Sequence, residues 1–160
     1  AGPRGERQRP SVPGGQAGSI LPSLRPGRAM VKRRSARSGL LTRVAPRLLV
    51  GNRAAAQDRE LLRAAGVAAV VSVGGGRQAH DDLAFWHCGV RDNCESDALV
   101  PAMREAADAI EGFLAAFPGR SVLVHCMGGV SRSPAFVCAF LILKEGAGPA
   151  AVVAALRAAR

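Results

Sequence analysis

The chain has 160 residues, of which 48% are apolar and 21% charged. That is enough for one domain with a real core, too short for two ordinary ones, and too apolar for wholesale disorder. The net charge of +10 is unevenly placed: residues 1–43 carry ten Lys and Arg against one acid, Glu6, while residues 44–160 carry twelve against eleven. The pI of about 11.3 therefore describes a tail, and a basic surface for nucleic acid across the fold is not supported.

Other classes fall away in turn. The longest apolar run, residues 134–143, is ten residues, about half of what a membrane-spanning helix needs. Cysteines at 88, 94, 126 and 138 form no CxxC pair and are too few for a disulfide scaffold. No Tyr and one Trp leave few rings on which single-stranded nucleic acid can stack.

Residues 1–43 hold five of the ten prolines and seven of the nineteen glycines. They show no sustained period, so a disordered tail is expected. The basic cluster Val31 to Arg37 reads as a nuclear address or an acidic-partner patch. An Arg- and Ser-bearing, acid-poor start equally fits an organelle transit peptide. The plain alternative is a solvated tail; nucleic acid would bind only through it. The compartment stays open, with cytoplasm or nucleus favoured.

From Val44 the pattern alternates between β and α. Residues 47–50 read as a short strand stopped by Gly51-Asn52. Residues 54–65 read as one short helix ended by Gly66. Residues 67–73 form a β-branched run suited to a strand buried on both faces. Gly74-Gly75-Gly76 opens a loop; it lacks the spacing and following helix of a dinucleotide turn. Residues 85–90 are a weaker strand candidate. Residues 99–117 predict a long amphipathic helix through Met103, Ala106, Ala107, Ile110, Phe113 and Leu114. Residues 121–124 predict another buried strand, and helices follow over 133–145 and 149–160. Strands alternating with helices imply an α/β fold with a central, mostly parallel sheet flanked by helices.

The chemistry concentrates at His125-Cys126-Met127-Gly128-Gly129-Val130-Ser131-Arg132-Ser133. A buried strand runs straight into a cysteine, then a glycine-containing loop, then an arginine and a helix. The strand holds Cys126 at its carboxyl end, where open α/β sheets place ligands. A curled loop over 127–132 would aim successive N–H groups inward as an anion cradle, with Gly128 and Gly129 allowing the curl. The helix start adds positive potential, and Arg132 supplies a planar fork for two phosphate oxygens. The same field lowers the Cys126 thiol pKa and makes it a nucleophile aimed at bound phosphorus. Ser133 is placed to hydrogen-bond the sulfur and help it leave, and His125 to orient the loop from behind without transferring protons.

This motif, histidine–cysteine–five residues–arginine–serine, resembles that of the cysteine-dependent protein phosphatases. The Ser131-Arg132-Ser133 ending most resembles the small atypical members of the dual-specificity branch. The likeness extends over residues 44–160: Val44 to Asn52 with Ala55, Asp58 and Leu62 look like the family's opening strand and first helix. Residues 67–73 look like its next strand, Val90 to Asp97 like its acid loop, and Ala151, Val153 and Arg160 like its penultimate helix. The family usually continues with a proline and one more core helix, so a C-terminally truncated domain is expected. Pro134 departs from the usual alanine, harmlessly in a first helical turn.

The resemblance implies a tyrosine-phosphatase-like fold and metal-independent hydrolysis of phosphotyrosine and phosphoserine/threonine in proteins. It implies Asp92, 34 residues before Cys126, as the general acid, with Asn93 placing the loop or a water. Asp97 is the rival acid; Asp81 and Asp82 are weaker. Two other readings stay open: a phosphatase of a phosphoinositide, an RNA 5′ end or a glucan, and a non-catalytic phosphoprotein-binding module. No metal or cofactor is expected, because His80, His87 and Cys88 lack tight ligand spacing and a fourth partner. Cys88 and Cys94 are weak candidates for a reversible disulfide with an oxidised Cys126.

Overall fold

The computed structural model describes residues 40–74, 76–77, 79–91 and 96–159. Residues 1–39 of the expected disordered tail, Asp92 to Glu95 of the acid loop, and Arg160 lie outside the described residues.

The β-branched runs form the middle of a five-stranded sheet with order β1-β2-β5-β3-β4. These strands are β1 (Leu41–Ala45), β2 (Leu48–Gly51), β3 (Val67–Val73), β4 (Ala84–Cys88) and β5 (Ser121–His125). β5 lies parallel between β2 and β3, β4 is parallel to β3, and β1 alone runs antiparallel, against β2. The helices are α1 (Arg53–Gln57), α2 (Arg59–Ala64), α3 (Ser96–Ala116), α4 (Arg132–Leu143) and α5 (Pro149–Ala158).

Strand periodicity divides the core in two. Val50, Val71, Val122 and Val124 pack with Ile110, Phe113, Phe136 and Phe140 of α3 and α4. Leu49, Val70 and Leu123 face the other way, towards Leu62 of α2. All five residues of β5 are buried, as expected of a central strand covered on both faces. The same alternation carries past the strand end: Cys126 joins the α3–α4 core, while His125 follows Leu123 to the α1–α2 side.

Several boundaries differ from expectation: α3 starts at Ser96, three residues early, and three other differences have a local cause. The ordered fold begins before Val44, because Leu41–Ala45 is a strand. Its hairpin to β2 turns through Pro46-Arg47, without the glycine or asparagine that usually marks such a turn. Arg47 takes φ +62, and its Nη1 donates to the Leu114 carbonyl at 2.8 Å, which holds this left-handed residue in place. Second, residues 54–65 are two helices. Asp58 is extended, with ψ 96, and its side chain accepts from the Leu61 amide, so an N-cap interrupts the first helix. Third, β4 spans Ala84–Cys88 instead of 85–90, as a half-buried edge strand whose periodicity is faint.

Among the described residues no helix is long and apolar enough to cross a membrane.

Candidate active site

β5 delivers His125 and Cys126 to the carboxyl end of the sheet, and α4 begins six residues after the cysteine at Arg132. Between them the chain curls back on itself. The Gly129 amide donates to Cys126 Sγ at 3.2 Å. Ser133 Oγ lies 3.4 Å from that sulfur and 3.4 Å from the Gly51 carbonyl at the end of β2. Cys126 is 2% exposed, while Met127, Gly128, Val130 and Ser131 form the exposed rim.

Of the two loop glycines only Gly129 needs to be one. It has φ +72, and a Cβ there would sit 2.8 Å from the Gly51 carbonyl oxygen. Gly128 has open space around it and no positive φ. The curl is thus set by contact with the neighbouring strand's end at one of the two glycines that the sequence offered for it.

Arg132 is held from two distant segments. Its Nη1 donates to the carbonyls of Gly74 at 3.2 Å and Val90 at 3.1 Å. Gly74 has φ +60, and a Cβ there would collide with the Val90 carbonyl and with Arg132 Nη1. The glycine run after β3 is therefore a support for the guanidinium at its first position. Sequence patterning registers only a loop there, since the donor meets backbone carbonyls that every residue type carries. We predict that Gly74→Ala displaces Arg132 and lowers kcat/KM for a small aryl phosphate about 100-fold while the circular dichroism stays native. Unchanged kinetics would show that Arg132 does not depend on this support.

Electrostatics follow from these contacts. Burial disfavours a charged Cys126, but the Ser133 hydroxyl and amide, the Gly129 amide and the Arg132 charge outweigh it, so the thiol pKa lies below its ordinary value. His125 is 2% exposed, with Nδ1 at 3.3 Å from the Cys126 carbonyl. Burial pushes its pKa down to about 4, with the charges of His87 and Arg53 adding to the shift and the Cys126 carbonyl opposing it. The ring is neutral near pH 7, and its Nδ1–H donates to that carbonyl.

A pH dependence follows. Between pH 6.5 and about 4 an unfolded His125 binds a proton that the folded ring refuses. Stability therefore falls as pH falls through this window, by up to about 3 kcal/mol. The denaturation midpoint of the native chain should drop more steeply from pH 6.5 to 4 than that of His125→Gln; parallel curves would refute the assignment.

Other sequence candidates are dispersed. Asp97 is exposed in the first turn of α3. Asp81 is exposed. Asp82 is ion-paired with Arg59, whose hydrogen bond holds the carboxyl below its ordinary range. His87 stacks on Phe85 with ring centroids 6.3 Å apart. Among the described residues no three His, Cys, Asp or Glu side chains are grouped to hold a metal.

A sulfur at the closed end of a curled loop, with an arginine pinned beside it, can receive a tetrahedral oxyanion. The family model "Dual specificity phosphatase, catalytic domain" matches residues 48–160. Dual specificity protein phosphatase 13B of Mus musculus is 34% identical over 125 residues, which cover 71% of this chain and 61% of that protein. Dual specificity protein phosphatase 12 of Homo sapiens is 35% identical over 111 residues, covering 66% of this chain and 32% of that protein. The chain thus spans less than two thirds of these relatives. Among solved structures, human DUSP28 superposes with a TM-score of 0.68 at 30% identity, covering 77% of this chain and 84% of that one. A mouse putative dual specificity phosphatase complexed with zinc tungstate gives 0.69 at 28% identity, covering 84% and 82%. With the model matched from β2 through α5, this chain belongs to the dual specificity phosphatase catalytic-domain family.

Proposed function

We propose that the chain is a phosphoric monoester hydrolase acting on phosphotyrosine and phosphoserine/threonine in proteins through a cysteinyl-phosphate intermediate. The observation that carries this reading is the Cys126 sulfur, which accepts the Gly129 amide at 3.2 Å and has its pKa lowered by Ser133, Gly129 and Arg132 against burial.

In the first step Cys126 Sγ attacks phosphorus. The S–P bond forms, the ester P–O bond breaks, and the leaving oxygen takes the proton of Asp92. In the second step water attacks phosphorus, its proton passes to the Asp92 carboxylate, and the S–P bond breaks to return the thiolate. Arg132 and the loop amides from Met127 to Arg132 hold the phosphoryl oxygens, where charge spreads in a loose transition state. Ser133 donates its hydroxyl to the departing sulfur. His125 fixes the loop through the Cys126 carbonyl. Asp92 lies outside the described residues; its assignment rests on the family resemblance of residues 90–97. The Val90 carbonyl, two residues earlier, accepts from Arg132, which supports an acid loop that starts beside the guanidinium.

The substrate class rests on the rim. Met127 is 50% and Val130 70% exposed, and no lysine lies between Cys126 and Arg132. Such a rim suits a protein side chain better than a polyanionic headgroup.

Rapid-quench mass spectrometry tests this reading. A phosphoryl adduct on the peptide containing Cys126 is expected during turnover, and its absence under single-turnover conditions would overturn the mechanism. Asp92→Ala should cut kcat about 10²–10⁴-fold on an alkyl phosphate, retain KM, and lose less on an aryl phosphate with an acidic leaving group. Equal losses on both would remove Asp92 from the acid role.

A further inference from the structure

Asn52 stands where the chain leaves β2 for α1, and it satisfies both elements at once. One residue beyond the Leu41–Gly51 pair, its amide donates to the Leu40 carbonyl at 3.0 Å. An antiparallel ladder would return the Leu40 N–H to the Asn52 carbonyl. That carbonyl instead accepts the Ala56 amide at 3.1 Å and opens α1. The Asn52 side chain takes over in the ladder. Its Oδ1 accepts the Leu40 N–H at 3.0 Å and the Ala55 N–H at 2.9 Å, so one oxygen closes the ladder and caps the helix. A helix cap alone needs only the second of these bonds.

Asn52 and its two neighbours form the floor of the loop that holds Cys126. The Gly51 carbonyl accepts from Ser133 Oγ at 3.4 Å. Gly129 lies so close to this floor that a Cβ on it would sit 2.8 Å from the Gly51 oxygen and 3.0 Å from the Asn52 nitrogen. The Arg53 amide donates to the Met127 carbonyl at 3.2 Å. Three consecutive residues thus meet the loop at positions 127, 129 and 133. Two of those positions, Gly129 and Ser133, are the ones that meet the Cys126 sulfur.

We propose that Asn52 is a positioning residue, whose side-chain oxygen fixes residues 51–53 as the floor against which Met127, Gly129 and Ser133 are set. Its effect on turnover rests on the hydrolase reading given above. Without that oxygen the Asn52 carbonyl faces both the Leu40 N–H and the first turn of α1, and it cannot serve the two in one geometry. The chain shifts towards one of them. Either shift carries the Gly51 carbonyl and the Arg53 amide away from the loop, and so loosens the contacts of Gly129 and Ser133 with sulfur.

Alkylation of Cys126 by iodoacetate across pH, read by mass spectrometry of its peptide, tests the floor in the full chain beside kcat/KM for a small aryl phosphate. Asn52→Ala should raise the thiol pKa by about one unit and slow alkylation about tenfold at acidic pH. Its kcat/KM should fall about tenfold, with the acid limb of the pH profile displaced in the same direction. Asn52→Asp keeps an acceptor in the same place and should restore both. Arg53→Pro removes the N–H that meets Met127. Proline suits the first position of a helix, and Asn52, extended at φ −101 and ψ 176, can precede it. Its kcat/KM should be about fivefold below that of Arg53→Ala, which loses the same side chain but keeps the N–H, so the floor remains testable if Asn52→Ala does not fold. A native thiol pKa and native kcat/KM in Asn52→Ala would reduce Asn52 to a helix cap and overturn the proposal. Equal kcat/KM in Arg53→Pro and Arg53→Ala overturns it as well. A native chain that does not hydrolyse the aryl phosphate overturns the hydrolase reading instead, and the alkylation profile, which needs no turnover, still decides the floor.

Discussion

Replacing Cys126 by serine is expected to lower kcat for a small aryl phosphate by about 10⁴-fold or more, measured in the presence of a chelator. The structural cost is small, because the side chain differs by one atom and the sulfur already meets the Gly129 amide and the Ser133 hydroxyl. Gly129 N and Ser133 Oγ, now 3.2 Å and 3.4 Å from sulfur, can address an oxygen instead. What is lost is the acidity that the sulfur provides. The surrounding amides, the Ser133 hydroxyl and Arg132 lower a thiol pKa from an already accessible value. A serine hydroxyl starts far higher, and the same partners cannot ionise it near neutral pH. Phosphate-analogue binding should persist in the variant, since the loop amides and Arg132 remain. Turnover comparable to that of the native chain would end the nucleophile assignment outright.

The second large effect is expected at Arg132. Arg132→Lys keeps the charge but should lower kcat/KM about 10²–10³-fold. Arg132 uses one nitrogen, Nη1, for both the Gly74 and Val90 carbonyls, which fixes the guanidinium plane and directs the rest of the fork. A lysine has a single nitrogen for every task. If it reaches the carbonyls it cannot also grip two phosphoryl oxygens in one plane, and if it swings to the oxyanion the carbonyls lose their donor. Both kcat and KM should worsen, and the affinity for tungstate or vanadate should fall with them. A lysine variant with native kinetics would mean that only charge matters, and that the double backbone anchor is incidental.

What was legible in the sequence was whatever lies within one short stretch of chain. Residues 121–133 announce a strand, a curl and a helix through β-branched residues, one indispensable glycine and an arginine, and all of these depend on neighbours in sequence. The parity of β5 already separates Cys126 from His125. The core face of α3 was equally readable, because helical periodicity places Ala106, Ile110 and Phe113 without reference to their partners. β1 was less readable. Its hairpin turns on Arg47 at φ +62, which is stable only because Leu114, distant in sequence, accepts its guanidinium.

By itself, then, the sequence determined the mostly parallel α/β plan and the position of Cys126 at a strand end. Only the tertiary structure decided that the carbonyls of Gly51, Gly74 and Val90, from 42 to 82 positions away, hold Ser133 and Arg132 in place. It alone brought Arg53, Arg77, His80 and His125 to the lining of one cleft. The physical reason is that a backbone carbonyl is the same group in every residue, and a long-range meeting of side chains has no period. Neither leaves a mark on the chain until the sheet closes and brings them within hydrogen-bonding reach.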